Sequence, residues 1–438
     1  MKWSNIFTIP DKNLISDGSV DPMGMQMIWT YFGQLIFHNK LTTVSTDVRN
    51  YSINLLHHFV LYRFQQERNE EFHMAQSNFY KYRDGYDVKA GMLIFMEDLL
   101  VYALMDQKNS VNTLGLLGSN KAQDDLERIN KNYSEIEIHA EQSKGILVRQ
   151  IQLGINGRYK GPFMNMGLMS KNFEYAPKEF EYIEQLFSQW DEGNKLVNKL
   201  ITLLTEILIS NNRDYPVISL DRYKNDEEIW KLYADCFGQL KQNKVLQDFW
   251  LEKLGVKSGA AKSIFSEINQ FGEQSVSAII ASAFKKQEDE KEKELLQWVL
   301  DLEPFLSRCS HAFFLLSDVS VRKLSDIKAD LDALVSNIPI ESVFPLTCRN
   351  QRLEILVEFV KDNTGNGVQF AEAILNYHKK IMEERGGSAW VELENDYIKH
   401  YIPQTMHATT SDIVSGGYWY NRYYLDTVKS IYNGLNFN

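Results

Sequence analysis

ILVRQIQLGINGRYKGPF, residues 146–163, decides how the chain is read. Its first half, ILVRQIQL (146–153), alternates in polarity and carries β-branched residues, so it fits a short strand as well as a helical segment. The second half, GINGRYKGPF (154–163), gathers three glycines and a proline around Arg158, Tyr159 and Lys160, the composition of a tight turn. A strand running into a turn here is the β element of a chain that elsewhere reads as helix.

The helical signal is strong on both sides. After Thr46 or Asp47 as cap, Val48, Tyr51, Leu55, Phe59 and Tyr62 recur at three- and four-residue spacing, and the helix extends to about residue 71. Further helices are expected at about 88–105, 123–140, 324–337, 349–361 and 368–385. Residues 177–211 read as one long helix with a weak spot at Gly193, stopped by NNRDYP (211–216). The chain has only 9 prolines in 438 residues, which favours long uninterrupted helices. The expected fold class is mostly α and multi-helical, with a small β element near residues 146–170. Two domains are expected: a mainly helical N-terminal domain, 1–215, carrying the basic glycine-rich turn, and a helical C-terminal domain, 216–438.

Hydrophobic residues at 44% and charged residues at 24% are sufficient for a packed core. The formal net charge of −11 opposes nonspecific adhesion to nucleic acid or anionic membrane, leaving only a local basic patch for such a role. The start, MKWSNIFTIPDKN, lacks the apolar core of a signal peptide, and the apolar stretch at 91–105 is interrupted by Glu97 and Asp98. Three scattered cysteines form no metal or disulfide pattern. A cytoplasmic protein with no membrane span is the expectation.

The glycines of 154–163 satisfy neither nucleotide-binding spacing. GxxxxGK[ST] fails, since Lys160 precedes Gly161-Pro162 and no Ser or Thr follows it, and Gly154, Gly157 and Gly161 do not spell GxGxxG. Two readings remain. In one, Arg149, Arg158 and Lys160 contact phosphates while Tyr159 stacks on a base; in the other, the loop is a turn with solvated charges.

Glu97-Asp98, two carboxylates in an apolar helix, is the candidate for acid–base or metal chemistry. His57 and His58 are adjacent, so a helix points them to different faces, and Cys309 and His311 are two apart, where helical side chains do not meet. HExxH and GxSxG are absent. No catalytic residue, metal ligand or cofactor is therefore assigned. YWYNRYY (418–424) sets five aromatics beside Arg422. Tyr418, Trp419, Tyr420 and Arg422 are candidate partner contacts if exposed, and a clamp tying the tail to the body if buried.

DGSVDPMG (17–24), TTVSTDVRNYSINLLHHF (42–59) and GRYKGPF (157–163) together resemble uncharacterised bacterial proteins of phage-defence and DNA-restriction loci, over about the first 170 residues. The resemblance carries no catalytic residue. It implies a subunit that works with separately encoded ATPases or nucleases. The leading expectation is a non-catalytic helical subunit of a cytoplasmic multi-protein assembly in anti-phage defence or DNA restriction. The alternatives are a nucleic-acid-binding module using the 154–163 turn and a metal-dependent nuclease built on the acidic pair.

Overall fold

The helix expected after Asp47 forms because that residue caps it: the Asp47 carboxylate accepts the Arg49 backbone N–H at 2.8 Å. In the computed structural model, which describes residues 21–43, 47–82, 88–132, 137–138, 145–148, 150–209, 218–219, 227–239, 243–404 and 408–435, helices dominate. The chain divides into two units. Of the described residues, one comprises 39–254 and 430–435, the other 21–38 and 255–429. The first unit thus runs past the expected boundary at 215/216 as far as Leu254, because the helices that follow residue 226 pack back on it.

Helix α1 (Met25–Ile36) belongs to the second unit. The first unit begins with α2 (Val48–Glu67), α3 (Asn69–Tyr82), α4 (Val88–Asp106) and α5 (Ser119–Asn132). Strand β1 (Glu137–Ile138), α6 (Gln150–Leu153), α7 (Ile155–Asn165), α8 (Pro177–Ser188) and α9 (Asp191–Ile209) follow. Strand β2 (Ile218–Ser219), α10 (Glu227–Phe237) and α11 (Lys244–Lys253) complete it. Helix α4 is buried on every side from Val88 to Met105, as its all-round apolar composition demands. It lies among α2, α5, α6, α7 and α10.

Three expectations are corrected here. Residues 150–165 are helical: α6 and α7 replace the strand and turn, and the β pairing of this unit joins β1 to β2, antiparallel, with Glu137 opposite Ser219. The tertiary reason is visible in Tyr159, Phe163 and Met166, which are all buried at helical spacing. Tyr159 and Phe163 pack edge-on against Tyr51 of α2, with ring centroids 4.5 and 6.5 Å away. The helix expected over 123–140 ends earlier, since 137–138 is strand. Finally, the long helix at 177–211 is two, interrupted at Gln189–Trp190. Gly193 is not itself the break: it sits in the first turn of α9, where a Cβ would come within 2.4 Å of the Trp190 ring. It makes room for the tryptophan that folds back at the break.

The second unit is organised on α14. Its elements are α1, α12 (Gly259–Glu267), α13 (Val276–Lys286), α14 (Glu290–Ser317) and α15 (Lys328–Val335), then α16 (Ile340–Thr347), α17 (Gln351–Val360) and α18 (Gly367–Glu384). Strands β3 (Val391–Glu394) and β4 (Tyr397–His400), α19 (Thr410–Val414) and α20 (Leu425–Leu435) close the chain, α20 continuing past Lys429 into the first unit. Helix α13 ends at Lys286 and α14 begins at Glu290. Gln287 ends the first and Asp289 caps the second, accepting the N–H groups of Lys291 and Glu292. Strands β3 and β4 form an antiparallel hairpin with Val391 opposite His400 and Glu394 opposite Tyr397. Asn395 makes the turn at φ 57°, a left-handed conformation that asparagine tolerates. The mostly α class is thus observed, with two small antiparallel strand pairs and an isolated antiparallel bridge between Met169 and Tyr175.

Candidate functional site

Three places collect the chemistry-bearing residues: the acidic pair on α4, the aromatic segment 418–424, and the β3–β4 hairpin. Glu97 and Asp98 are both buried. The Gln150 side-chain amide reaches them from α6, donating to Asp98 Oδ1 at 2.6 Å and to Glu97 Oε2 at 3.2 Å. Gly154 closes the site, because a Cβ there would lie 2.5 Å from Glu97 Oε2. The glycine that suggested a phosphate loop instead lets α6 and α7 approach α4. Burial holds the Asp98 carboxyl well above the usual carboxylate range, against the Gln150 hydrogen bond, with the Glu97 charge adding to the rise. Among the described residues, no group of three or more His, Cys, Asp or Glu is placed to hold a metal ion.

Among the described residues, the candidate nucleic-acid contacts do not present one face. Arg149 lies outside the described residues. Tyr159 is fully buried, so stacking on a base is not open to it in this conformation. Lys160 is half-buried with its ammonium 3.8 Å from the centroid of the Phe173 ring, and Arg158 is half-buried on α7. The correction has a simple cause: a helix turns side chains at 158, 159 and 160 about 100° apart, whereas a turn would have projected them together.

The histidines separate as helical geometry requires. His57 Nε2 meets the Tyr233 hydroxyl at 3.2 Å, and His58 Nδ1 meets the Tyr175 hydroxyl at 3.0 Å. Burial pushes both down to about 3, so they are neutral core groups. His311 is buried on α14, with Nδ1 2.9 Å from the Tyr420 hydroxyl and Nε2 3.3 Å from Thr410 Oγ1. The Cys309 thiol is buried and its pKa raised by that burial. His407 lies outside the described residues, and His400 donates from Nε2 to the Leu316 carbonyl at 3.1 Å.

The segment 418–424 is built into the second unit. Trp419, Tyr423 and Tyr424 are buried, Tyr418 and Tyr420 are half-buried, and Arg422 is exposed and paired with Asp426 at 2.8 Å. Its anchor is Glu303 of α14. Oε2 accepts from Trp29 Nε1 at 2.7 Å and from the Tyr423 hydroxyl at 2.6 Å. Oε1 accepts from Ser307 Oγ at 2.6 Å and from the N–H groups of Tyr420 and Asn421 at 3.1 and 3.4 Å. Desolvation raises the Glu303 carboxyl to about 7 despite these donors, each of which favours the charged form.

The hairpin is what sequence reading missed. Tyr397 and Tyr401 are 58% and 59% exposed, and Ile402 and Val319 are exposed beside them. Val319 belongs to the segment that runs along β4: the Ile398 N–H donates to the Arg322 carbonyl at 3.0 Å and the Gln404 N–H to the Ser317 carbonyl at 3.1 Å. The Tyr401 hydroxyl donates to Glu392 at 2.9 Å, and the Lys323 ammonium lies 5.2 Å from the Tyr397 ring centroid. The signal was present in VELENDYIKH (391–400), two alternating runs about an Asn-Asp turn.

No protein-family model matches the chain, and neither a curated protein nor a solved structure shows significant similarity to it. No helix among the described residues is long and apolar enough to cross a membrane.

Proposed function

We propose that this chain is a non-catalytic helical subunit that docks another protein on the β3–β4 hairpin, within a cytoplasmic assembly for anti-phage defence or DNA restriction. The observation that carries the reading is the cluster of Tyr397, Tyr401, Ile402 and Val319, large side chains left exposed on two adjoining backbone segments. Tyrosine is enriched in interface hot spots, since it brings wide contact area with few rotatable bonds. The Glu392 and Lys323 contacts hold both rings in place before a partner arrives, which lowers the ordering cost of binding. By contrast, Trp419 and Tyr420 of the tail are engaged internally, so the hairpin replaces them as the contact surface. The reading is also supported by the acidic pair, whose carboxylates are enclosed by α4, α6 and α7 and hydrogen-bonded to Gln150. The ATPase or nuclease implied by the resemblance is the expected partner.

The test is tagged purification from the native host after nuclease treatment, comparing wild type with a Tyr397→Ser, Tyr401→Ser, Ile402→Ser variant. A protein recovered in fixed proportion with the wild type and lost with the variant, at unchanged circular dichroism, supports docking at the hairpin. Identical recovery with both removes it.

A further inference from the structure

We propose that residues 418–424 form a strained latch that opens as a unit from α1 and α14 while the rest of the second unit stays folded. The segment lies outside regular structure, between α19 and α20. Tyr423 and Tyr424 sit consecutively at φ 43° and 64°, a left-handed conformation that bulky L-residues rarely adopt and that persists only where surrounding contacts enforce it.

Those contacts converge on one group. Of the five donors on Glu303, the segment supplies three: the Tyr420 and Asn421 N–H groups and the Tyr423 hydroxyl. Trp29 and Ser307 supply the others and remain when the segment leaves. Beyond this anchor the hold is by packing of rings and by hydrogen bonds of the Tyr420 hydroxyl with His311 and of Tyr424 with Thr30 and Gln34 of α1. Tyr424 lies over Gly33 of α1, where a Cβ would come within 2.9 Å of its ring, and meets Phe37 at 6.0 Å. Tyr420 stacks on Phe314 of α14 at 5.2 Å and reaches His311 with its hydroxyl. Opening therefore relieves two strained residues, and what it breaks is local: the donors on one carboxylate, the hydrogen bonds of the Tyr420 and Tyr424 hydroxyls, and one aromatic slot. Elements with few anchors and stored strain open at lower free energy than the core they rest on.

Native-state hydrogen exchange in increasing sub-denaturing urea tests this directly in the wild type. The Tyr420 and Asn421 amides, bonded to Glu303, are expected to exchange faster than the buried amides of α18, at a rate nearly independent of urea. Glu303→Gln places an NH2 among donors, and is expected to accelerate exchange in the segment on the order of ten- to a hundredfold while α18 is unchanged. Tyr423→Phe, which deletes one donor and keeps the ring, is expected to give a smaller acceleration confined to the same residues. If the segment's amides exchange only with α18, with the same steep urea dependence, the latch does not exist. Acceleration by Tyr423→Phe spread evenly over the second unit overturns it equally.

Discussion

Arg49 offers the sharpest test of how the first unit is held together. Its side chain is fully buried, and the guanidinium donates at 2.5 Å to the carbonyls of both Asn112 and Leu114, at 3.3 Å to the carbonyl of Phe237, and pairs with Asp47 at 3.2 Å. One cation thus ties the loop after α4 and the end of α10 to the first turn of α2. Replacing it by methionine keeps much of the packed stem but leaves these acceptors without their donors. Two charge-assisted hydrogen bonds at about 1.5–3 kcal/mol each, and the about 3–5 kcal/mol typical of breaking a buried ion pair, bracket a loss near 4 kcal/mol for Arg49→Met. Arg49→Lys keeps the charge but not the fork, and should lose about half as much. Urea denaturation followed by tryptophan fluorescence reads both as shifts in midpoint at constant slope. If Arg49→Met lies within about 1 kcal/mol of wild type, the bonds are not the anchor described.

Two further outcomes are expected. His57 is neutral in the fold, its pKa lowered to about 3 against 6.5 ordinarily, so the unfolded chain binds the extra proton below pH 6.5 and stability is lost as pH falls from there toward 3. Glu303 and Asp98, raised by burial, act in the opposite direction, so the contribution is read as a difference: wild type should lose about 1.4 kcal/mol per pH unit relative to His57→Gln across that window, and parallel pH profiles would refute it. Asp98→Asn fixes the uncharged state that burial favours and keeps an acceptor for Gln150, so denaturation at pH 6 should show a loss under about 1 kcal/mol. A loss above about 3 kcal/mol would mean that the carboxylate is needed in its charged form.

The fold class was legible because helical periodicity is a local property. Val48, Tyr51, Leu55 and Phe59 are buried on the helix their spacing predicts. The segment 154–163 misled because glycine and proline were weighed as turn formers, while Tyr159, Phe163 and Met166 already carried the helical period. Contacts with Tyr51 and the close approach to Glu97 decide that segment, and neither is local. The same holds for the division of the chain, since α10 and α11 join the first unit through packing on distant helices. For the tail, both alternatives were visible in the aromatic run, but only Glu303, more than a hundred residues away in sequence, distinguishes clamp from surface.

The central claim is that the hairpin is a protein-docking surface, and site-specific photo-crosslinking tests it most directly. A photoreactive phenylalanine analogue replaces Tyr401 in the native host, with a control at exposed Phe344 of α16. A single discrete protein adduct from position 401, resistant to nuclease and absent from position 344, is the predicted result. No protein adduct at 401, or an adduct to nucleic acid alone, would contradict the account.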